Sequence, residues 1–414
     1  MHGTVGIGLF LGIAFALSKK RGEVSWRKII QLGLFHIALM MVFLKIPQAQ
    51  KGFLLLGQGV QALQRAVTAG TSFVFGYLGG ATPPFVLADG QGSVFVFMFQ
   101  ALPMIVVMSA LSMLLFHWGI LPWSVRKISV LARKVGCMGG ALATAMGAKI
   151  FLGQTDAPLL VKPYLHRFSC HELFAVMTVG MATSSLALFS LYASLLEPVM
   201  GNTHALMHIV TAAIINIPAS LIISELMIPG KEMTEGQADN PYTFTNAMQA
   251  IAQGTTEGWT MMWGIAAMVI VALAFVSLSN TLLSVLTQWI IGTPHQIETL
   301  LGYIFAPFAW CMGIPSQDIV ASGILLAKKT VLNEVVALID VSHKPFSALS
   351  ERTLGILVYS LCGFGNLSSL AIQIAGFGVL APTRKEDVLA LAPWALVAGL
   401  LAGGLSSALV SLVL

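Results

Sequence analysis

The sequence predicts an all-α polytopic membrane protein: eight transmembrane helices plus two re-entrant helical hairpins in an inverted repeat, with amphipathic interfacial helices. Three observations carry this prediction. Of 414 residues, 57% are hydrophobic and only 9% are charged, with a mean hydropathy of +0.85. A soluble domain carries about 25% charged residues, and no water-soluble surface could be covered with so few. Apolar runs near the length needed to cross a bilayer, about 20 residues, recur along the chain. Finally, polar stretches rich in glycine and proline interrupt two apolar regions. Broken backbone at membrane depth is tolerated only where it is buried in protein or lines a cavity.

Gly3 to Ser18 is a slightly short first span, read as a retained helix rather than a cleaved signal, because no basic region and small-residue cleavage site accompany it. Lys19, Lys20, Arg21, Arg27 and Lys28 crowd the next loop, which places it in the cytoplasm and the N-terminus outside. The net charge of +5 therefore reports orientation and points to no nucleic acid. Ile29 to Leu44 is the second span; its His36 is read as a satisfied or interfacial histidine rather than a proton relay. From Gln48 to Gly80, Gln and Arg65 alternate with apolar residues at helical spacing, as in a helix lying along the membrane surface. Gly79 to Gly92 is a loop. Ser93 to Trp118 is the third span, with a kink expected at Pro103. Leu121 to Val135, carrying Arg126, Lys127, Arg133 and Lys134, is a second surface helix.

Residues 136–167 hold no run long enough to span, and Gly153-Gln154-Thr155-Asp156-Ala157-Pro158 sits near their middle. This is the first predicted hairpin. Glu172 to Leu196 is the fourth span. The polar run Ala182-Thr183-Ser184-Ser185 at its centre either marks local unwinding or bonds back within an intact helix. Ala205 to Ile228, with Asn216 and Pro218, is the fifth span. Pro229 to Gly258 is the most polar segment and, with Glu232, Glu235 and Asp239, the best internal boundary. Trp259 to Ile291 is a long sixth span, and Leu300 to Gly313 a further surface helix. Residues 315–344 repeat the hairpin pattern around Asn333 and Glu334. Leu354 to Val379 is a seventh span broken at Gly363-Phe364-Gly365-Asn366, and Val388 to Leu414 is the last. Surface helix, hairpin, broken span and intact span thus occur twice, from Leu121 to Ile228 and from Leu300 to Leu414. Broken elements meeting in an inverted repeat are a secondary-transporter pattern.

Ionisable groups at membrane depth are costly and usually functional. Asp156 and Glu334 are the two carboxylates so placed; the bland alternative is an ion pair with Lys149 and Lys329. Asn366 and Ser369 serve equally well as helix-to-helix hydrogen bonds. Cys137, Cys170, Cys311 and Cys362 have no metal-ligand spacing and are read as small packing residues. No metal and no cofactor are predicted. An intramembrane enzyme is the alternative of a different class, and a channel or receptor another. Against the enzyme, the chain lacks the H-E-x-x-H, G-x-S-x-G and phosphate-binding Gly-Lys patterns.

Three ordered blocks carry a family resemblance: GQTDAPLLVKPYL from Gly153, TVLNEVVAL from Thr330, and LCGFGNLSSLAIQIAGF from Leu361. They resemble the signatures of the concentrative nucleoside transporter family, and the flanking chain fits from first helix to last. The resemblance implies a bacterial inner-membrane importer of nucleosides such as uridine, cytidine or adenosine, a homotrimer among membrane lipids, with both termini periplasmic. It implies that Gln154, Thr155 and Asp156 read the base, that Glu334, Asn366 and Ser369 hold the ribose, and that Phe364 packs near the sugar. It implies a scaffold from residues 1–120 and 229–299, and an elevator-like transport domain from 121–228 and 300–414.

Two departures from the family pattern matter. Asp156 stands where Glu is usual, which puts base preference in question. Lys149 stands where sodium-coupled relatives usually carry Asn; Leu152, Thr183 and Ser184 would supply the neighbouring ligands. A protonated ammonium donates only, so it cannot replace an oxygen ligand, unless Lys149 points elsewhere, snorkels or pairs with Asp156. Proton coupling without sodium is the expectation, with sodium symport and uncoupled facilitated transport as the alternatives.

Overall fold

A computed structural model of the chain describes residues 2–85, 96–136, 138–154, 156–231, 233–234, 244–291, 297–342 and 346–414. Every regular element among them is helical. In chain order the α-helices are α1 (His2–Ala16), α2 (Trp26–Lys45), α3 (Pro47–Phe75), α4 (Phe97–Gln100), α5 (Pro103–His117), α6 (Ile120–Gly136), α7 (Gly140–Lys149), α8 (Asp156–Leu159), α9 (Lys162–Leu165), α10 (Cys170–Ala182), α11 (Leu186–Met200) and α12 (Asn202–Met227). After these come α13 (Ala247–Ile291), α14 (Ile297–Cys311), α15 (Ile319–Val331), α16 (Glu334–Val341), α17 (Glu351–Leu361), α18 (Leu367–Leu380) and α19 (Lys385–Val410). Five stretches are long and apolar enough to cross a membrane: Trp26–Lys45, Phe97–His117, His204–Met227, Ala247–Trp289 and Pro382–Val410.

The polar interruptions become real breaks. Residues 183–185 leave the helix between α10 and α11, which settles the open reading of that run in favour of unwinding. Residues 362–366 separate α17 from α18 in the same way. Local chemistry explains why new helices start where they do. Asn366 caps α18 by accepting from the Ser369 amide at 2.8 Å, and Asn333 caps α16 by accepting from the Val336 amide at 2.9 Å. Ser169 and Glu172 form a reciprocal capping box at the start of α10. The third span is interrupted where a kink was expected: α4 ends at Gln100, Ala101 and Leu102 keep helical dihedral angles, and α5 begins at Pro103, whose missing N–H is tolerated at a first turn.

One boundary differs from the sequence expectation. The polar loop was expected to run to Gly258, yet α13 starts at Ala247, where the Asn246 side chain accepts from the Gln249 amide at 2.9 Å. The first turns read as loop because Gln253, Thr255, Thr256 and Glu257 are exposed. Within the helix, Thr255 and Thr256 donate to the carbonyls four residues back. Glu232, Glu235, Asp239, Cys137 and most of that loop lie outside the described residues. Cys170, Cys311 and Cys362 are free thiols. His36 is buried, with Nε2 3.3 Å from the Ser406 hydroxyl of α19.

The order surface helix, hairpin, broken pair, intact helix occurs as α6, α7 to α9, α10 with α11, and α12. It occurs again as α14, α15 with α16, α17 with α18, and α19. The surface helix expected at Leu300 to Gly313 is α14, and it packs along α15 and α1. The two intact helices, α12 and α19, pack against each other and against the broken pairs. Glycines four apart permit close approaches between helices. A methyl group at Gly399 would lie 2.5 Å from Met181 Cβ in α10, and one at Gly403 would lie 3.2 Å from Ser360 Cα in α17. On α13, methyl groups at Gly254 and Gly258 would lie 2.7 Å from the Cα atoms of Ala110 and Val106 in α5.

The feet of the hairpins are tied down. Thr234 donates to Glu172 from both its amide (2.7 Å) and its hydroxyl (2.8 Å), and its carbonyl accepts from Ala141 at the start of α7. Arg384, after α18, donates to the Phe168 carbonyl at the end of the first hairpin. Lys328 and Asp340 pair at 2.5 Å across the arms of the second.

The α5–α13 contact gives a direct test. Gly258→Leu forces side-chain bulk into a backbone approach and should cost about 1–3 kcal/mol of stability. A thermal scan of the purified protein in detergent should show a lower Tm. An unchanged Tm would mean that these helices do not pack so closely.

Candidate functional site

The two breaks and the two hairpin tips converge. Glu334, the first residue of α16, is buried. Its Oε2 accepts from Asn366 Nδ2 at 2.7 Å, and its Oε1 accepts from the Tyr192 hydroxyl at 3.0 Å. The starts of α16 and α18 therefore meet at one carboxylate. The bland alternative, an ion pair between Glu334 and Lys329, is not realised: no such pair within 4 Å exists among the described residues. Lys329 instead lies beside the second break, where a methyl group at Gly365 would sit 3.0 Å from Nζ.

The first hairpin reaches the same place from the other half of the chain. Gln154 is buried, and its Nε2 donates to the Ser369 carbonyl of α18 at 3.1 Å. Lys149, the last residue of α7, is 3% exposed, and its ammonium lies over the Phe364 ring, 5.1 Å from the centroid. That contact is a cation–π geometry. Leu152, Thr183 and Ser184 are all buried. The Thr183 hydroxyl is occupied, donating to the Val179 carbonyl at 2.7 Å, whereas Ser184 Oγ has no hydrogen-bond partner among the described residues.

Of the predicted site residues, the structure thus links Gln154, Ser369, Asn366 and Glu334 by hydrogen bonds, and Lys149 with Phe364 by ring contact. Thr155 and the Asp156 side chain lie outside the described residues; the backbone of Asp156 opens α8. Ser369 joins the Glu334–Asn366 pair through its amide, which donates to Asn366 Oδ1.

Sequence reasoning missed Tyr192 and Gln373. Tyr192 is fully buried in α11, and a phenol in an apolar half-helix needs a partner; that need was the available signal, although not the partner's identity. Gln373 is also fully buried, and its Nε2 donates to the Met177 carbonyl of α10 at 2.9 Å. A methyl group at Gly180 would lie 2.6 Å from that nitrogen, so α10 has room there for the carboxamide and nothing more.

Comparison with known proteins agrees with this architecture. Residues 5–78 match the model of the "Na+ dependent nucleoside transporter N-terminus", residues 98–199 that of "Nucleoside recognition", and residues 208–411 that of the "Na+ dependent nucleoside transporter C-terminus". The nucleoside permease NupC of Helicobacter pylori is 30% identical over 419 residues, covering 100% of this chain and 97% of that protein. The chain belongs to the concentrative nucleoside transporter family. It is a multi-pass membrane transporter of nucleosides and not an enzyme, which removes the intramembrane-enzyme reading. Among solved transporters of this family, CNTnw in an inward-facing substrate-bound state superimposes with a TM-score of 0.89 at 29% identity, covering 99% of this chain and 97% of that one. A CNTnw variant in an outward-facing state gives a TM-score of 0.90 at 28% identity, with the same coverage. These neighbours occur in alternating-access states.

Tyr192 supplies a test of the carboxylate's support. Tyr192→Phe removes one of two donors to Glu334, and a hydrogen bond to a charged group is worth about 1.5–3 kcal/mol. Equilibrium nucleoside binding should weaken about tenfold. Wild-type affinity in the variant would mean that Asn366 alone orients the carboxylate.

Proposed function

We propose that this transporter imports nucleosides across a bacterial inner membrane by elevator-type alternating access, coupled to protons and not to sodium. Both termini lie in the periplasm. Residues 121–228 and 300–414 form the moving domain, and residues 1–120 and 229–299 form the scaffold of a homotrimer embedded in lipid. The exposed apolar length of α13 supports that scaffold role, with Ile270, Phe275, Leu282 and Trp289 all exposed. Gln154, Thr155 and Asp156 address the base. Glu334, Asn366 and Ser369 address the ribose, and Phe364 lies against the sugar. A carboxylate accepting from adjacent hydroxyls, beside a carboxamide and a hydroxyl able to donate and accept, suits a ribose edge.

The observation that carries the coupling assignment is the position of Lys149. The matching family descriptions name sodium. Here a buried lysine occupies the position at which the family resemblance places an oxygen ligand, and its ammonium lies on the Phe364 ring at the second break. It therefore does not snorkel toward water, and it stays at the level of the unwound segments. Two like charges about 4 Å apart repel by about 4 kcal/mol at an effective dielectric of 20. That is several hundredfold in sodium affinity, too large for Leu152, Thr183 and Ser184 to offset. The tethered cation then takes the electrostatic part of the ion. As a permanent surrogate it would give an uncoupled carrier. If Lys149 or a nearby carboxylate loads and releases a proton, it gives symport.

Three outcomes test this assignment. Glu334→Gln should nearly abolish uptake while the protein still reaches the membrane, because the ribose loses its charged acceptor; near-normal uptake and affinity would remove Glu334 from the site. Asp156→Glu should change the ratio of purine to pyrimidine transport more than Glu334 variants do, and parallel competition profiles for uridine, cytidine and adenosine would show that Asp156 does not read the base. Wild-type uptake should be equal in choline and sodium buffers at one pH and collapse with a protonophore, whereas Lys149→Asn should gain sodium stimulation. Strong sodium stimulation of the wild type would overturn the assignment, and indifference to the protonophore would favour the uncoupled carrier.

A further inference from the structure

Asn216 lies on the intact helix α12, is 1% exposed, and stands behind both breaks at once. Its Nδ2 donates to the Ala182 carbonyl at 3.0 Å and to the Tyr359 carbonyl at 2.9 Å. Ala182 is the last residue of α10, and Tyr359 lies in the last turn of α17. Where a helix stops, its final carbonyls lose their intrahelical partners, and at membrane depth water does not replace them. Each break therefore strands acceptors. A carboxamide nitrogen carries two hydrogens, and here one goes to each broken helix. Chemistry fixes the orientation of the amide, since its oxygen cannot face two carbonyl oxygens. Ser220, one turn on, donates its hydroxyl to the Asn216 carbonyl at 2.6 Å and steadies the backbone beneath it.

The two breaks also touch. A methyl group at Gly363, inside the second break, would lie 2.5 Å from the Ala182 carbonyl oxygen. On the opposite side, α19 closes on both helix ends through Gly399 and Gly403, as described above. The end of α10 and the start of the second break thus have no slack between them, and the carbonyl that Gly363 approaches is the one Asn216 holds.

We propose that Asn216 is a positioning residue that holds the two unwound segments in register, fixing the spacing between the nucleoside contacts on residues 364–366 and the coupling position at residues 183–184. It touches neither substrate nor ion and acts through the two backbone carbonyls. The assignment rests on the proposed nucleoside site at the junction of Glu334 with the second break, which the Glu334→Gln experiment tests separately.

The test compares Asn216→Ala, Asn216→Asp and Gly363→Ala with wild type, using equilibrium binding of labelled uridine to purified protein and uptake in proteoliposomes. Asn216→Ala should raise the uridine Kd at least tenfold and raise KM by more than it lowers the maximal rate. Asn216→Asp keeps the shape but offers no hydrogen when ionised and one when protonated. Its Kd relative to wild type should therefore narrow as pH falls, while that of Asn216→Ala stays flat. Such a divergence does not follow from lost packing. Gly363→Ala, which wedges the same contact from the other side, should also weaken uridine binding at least tenfold. Wild-type Kd in Asn216→Ala, or superimposable pH profiles for the Asp and Ala variants, overturns the proposal. If neither Asn216 variant reaches the membrane, Gly363→Ala decides: weakened binding upholds the register and wild-type binding overturns it.

Discussion

Unwound backbone needs hydrogen-bond partners, and in a membrane water does not supply them. The organisation of this transporter follows from that constraint. Two helices are interrupted at their middles, and groups freed there are met by capping side chains and by a side chain from another helix. Asn366 caps α18 and Asn333 caps α16, so two helix N-termini open onto Glu334 with their amides already engaged in part. Asn216 meets carbonyls on the other side of the breaks. Glycines on α19 allow the intact helix to approach closely enough to seal the junction. The polar cluster is therefore both the support of the broken backbone and the candidate substrate site.

Much of this was legible in the sequence, for a physical reason. A bilayer penalises polar residues so strongly that Gly153 to Asp156, Thr183 to Ser185, Asn333-Glu334 and Gly363 to Asn366 stand out against apolar flanks. The element order and the second break follow from those positions, whereas the Thr183 to Ser185 run left unwinding and an intact helix equally open. Partner identity does not. Tyr192 meets Glu334 across 142 residues, and Asn216 meets Tyr359 across 143. No local pattern encodes a contact between elements that meet only after the whole bundle has closed. The start of α13 was hidden for the opposite reason, because its first turns are exposed and polar and lack the apolar periodicity that marks a span.

Lys149 shows how a single substitution is weighed differently once geometry is known. From sequence it could snorkel, pair with Asp156 or stand at the junction. The Asp156 side chain lies outside the described residues, while burial and the contact with Phe364 exclude snorkelling and put the ammonium beside the second break. It shares the second break with Lys329, whose Nζ lies beside Gly365. Each lysine precedes the polar residue of its hairpin tip, Gln154 or Glu334, by five positions. The two halves of the chain therefore bring lysines at equivalent positions to one unwound segment.

A lever bends where it is least tied. The first hairpin is fastened at its foot to Glu172 through Thr234 and to the turn after α18 through Arg384. The second is cross-braced between its arms by Lys328 and Asp340. Swinging the first hairpin as a flap would break its ties together, whereas the brace within the second stiffens that hairpin as a unit. A first hairpin that keeps its ties takes α10 and the turn after α18 along with it.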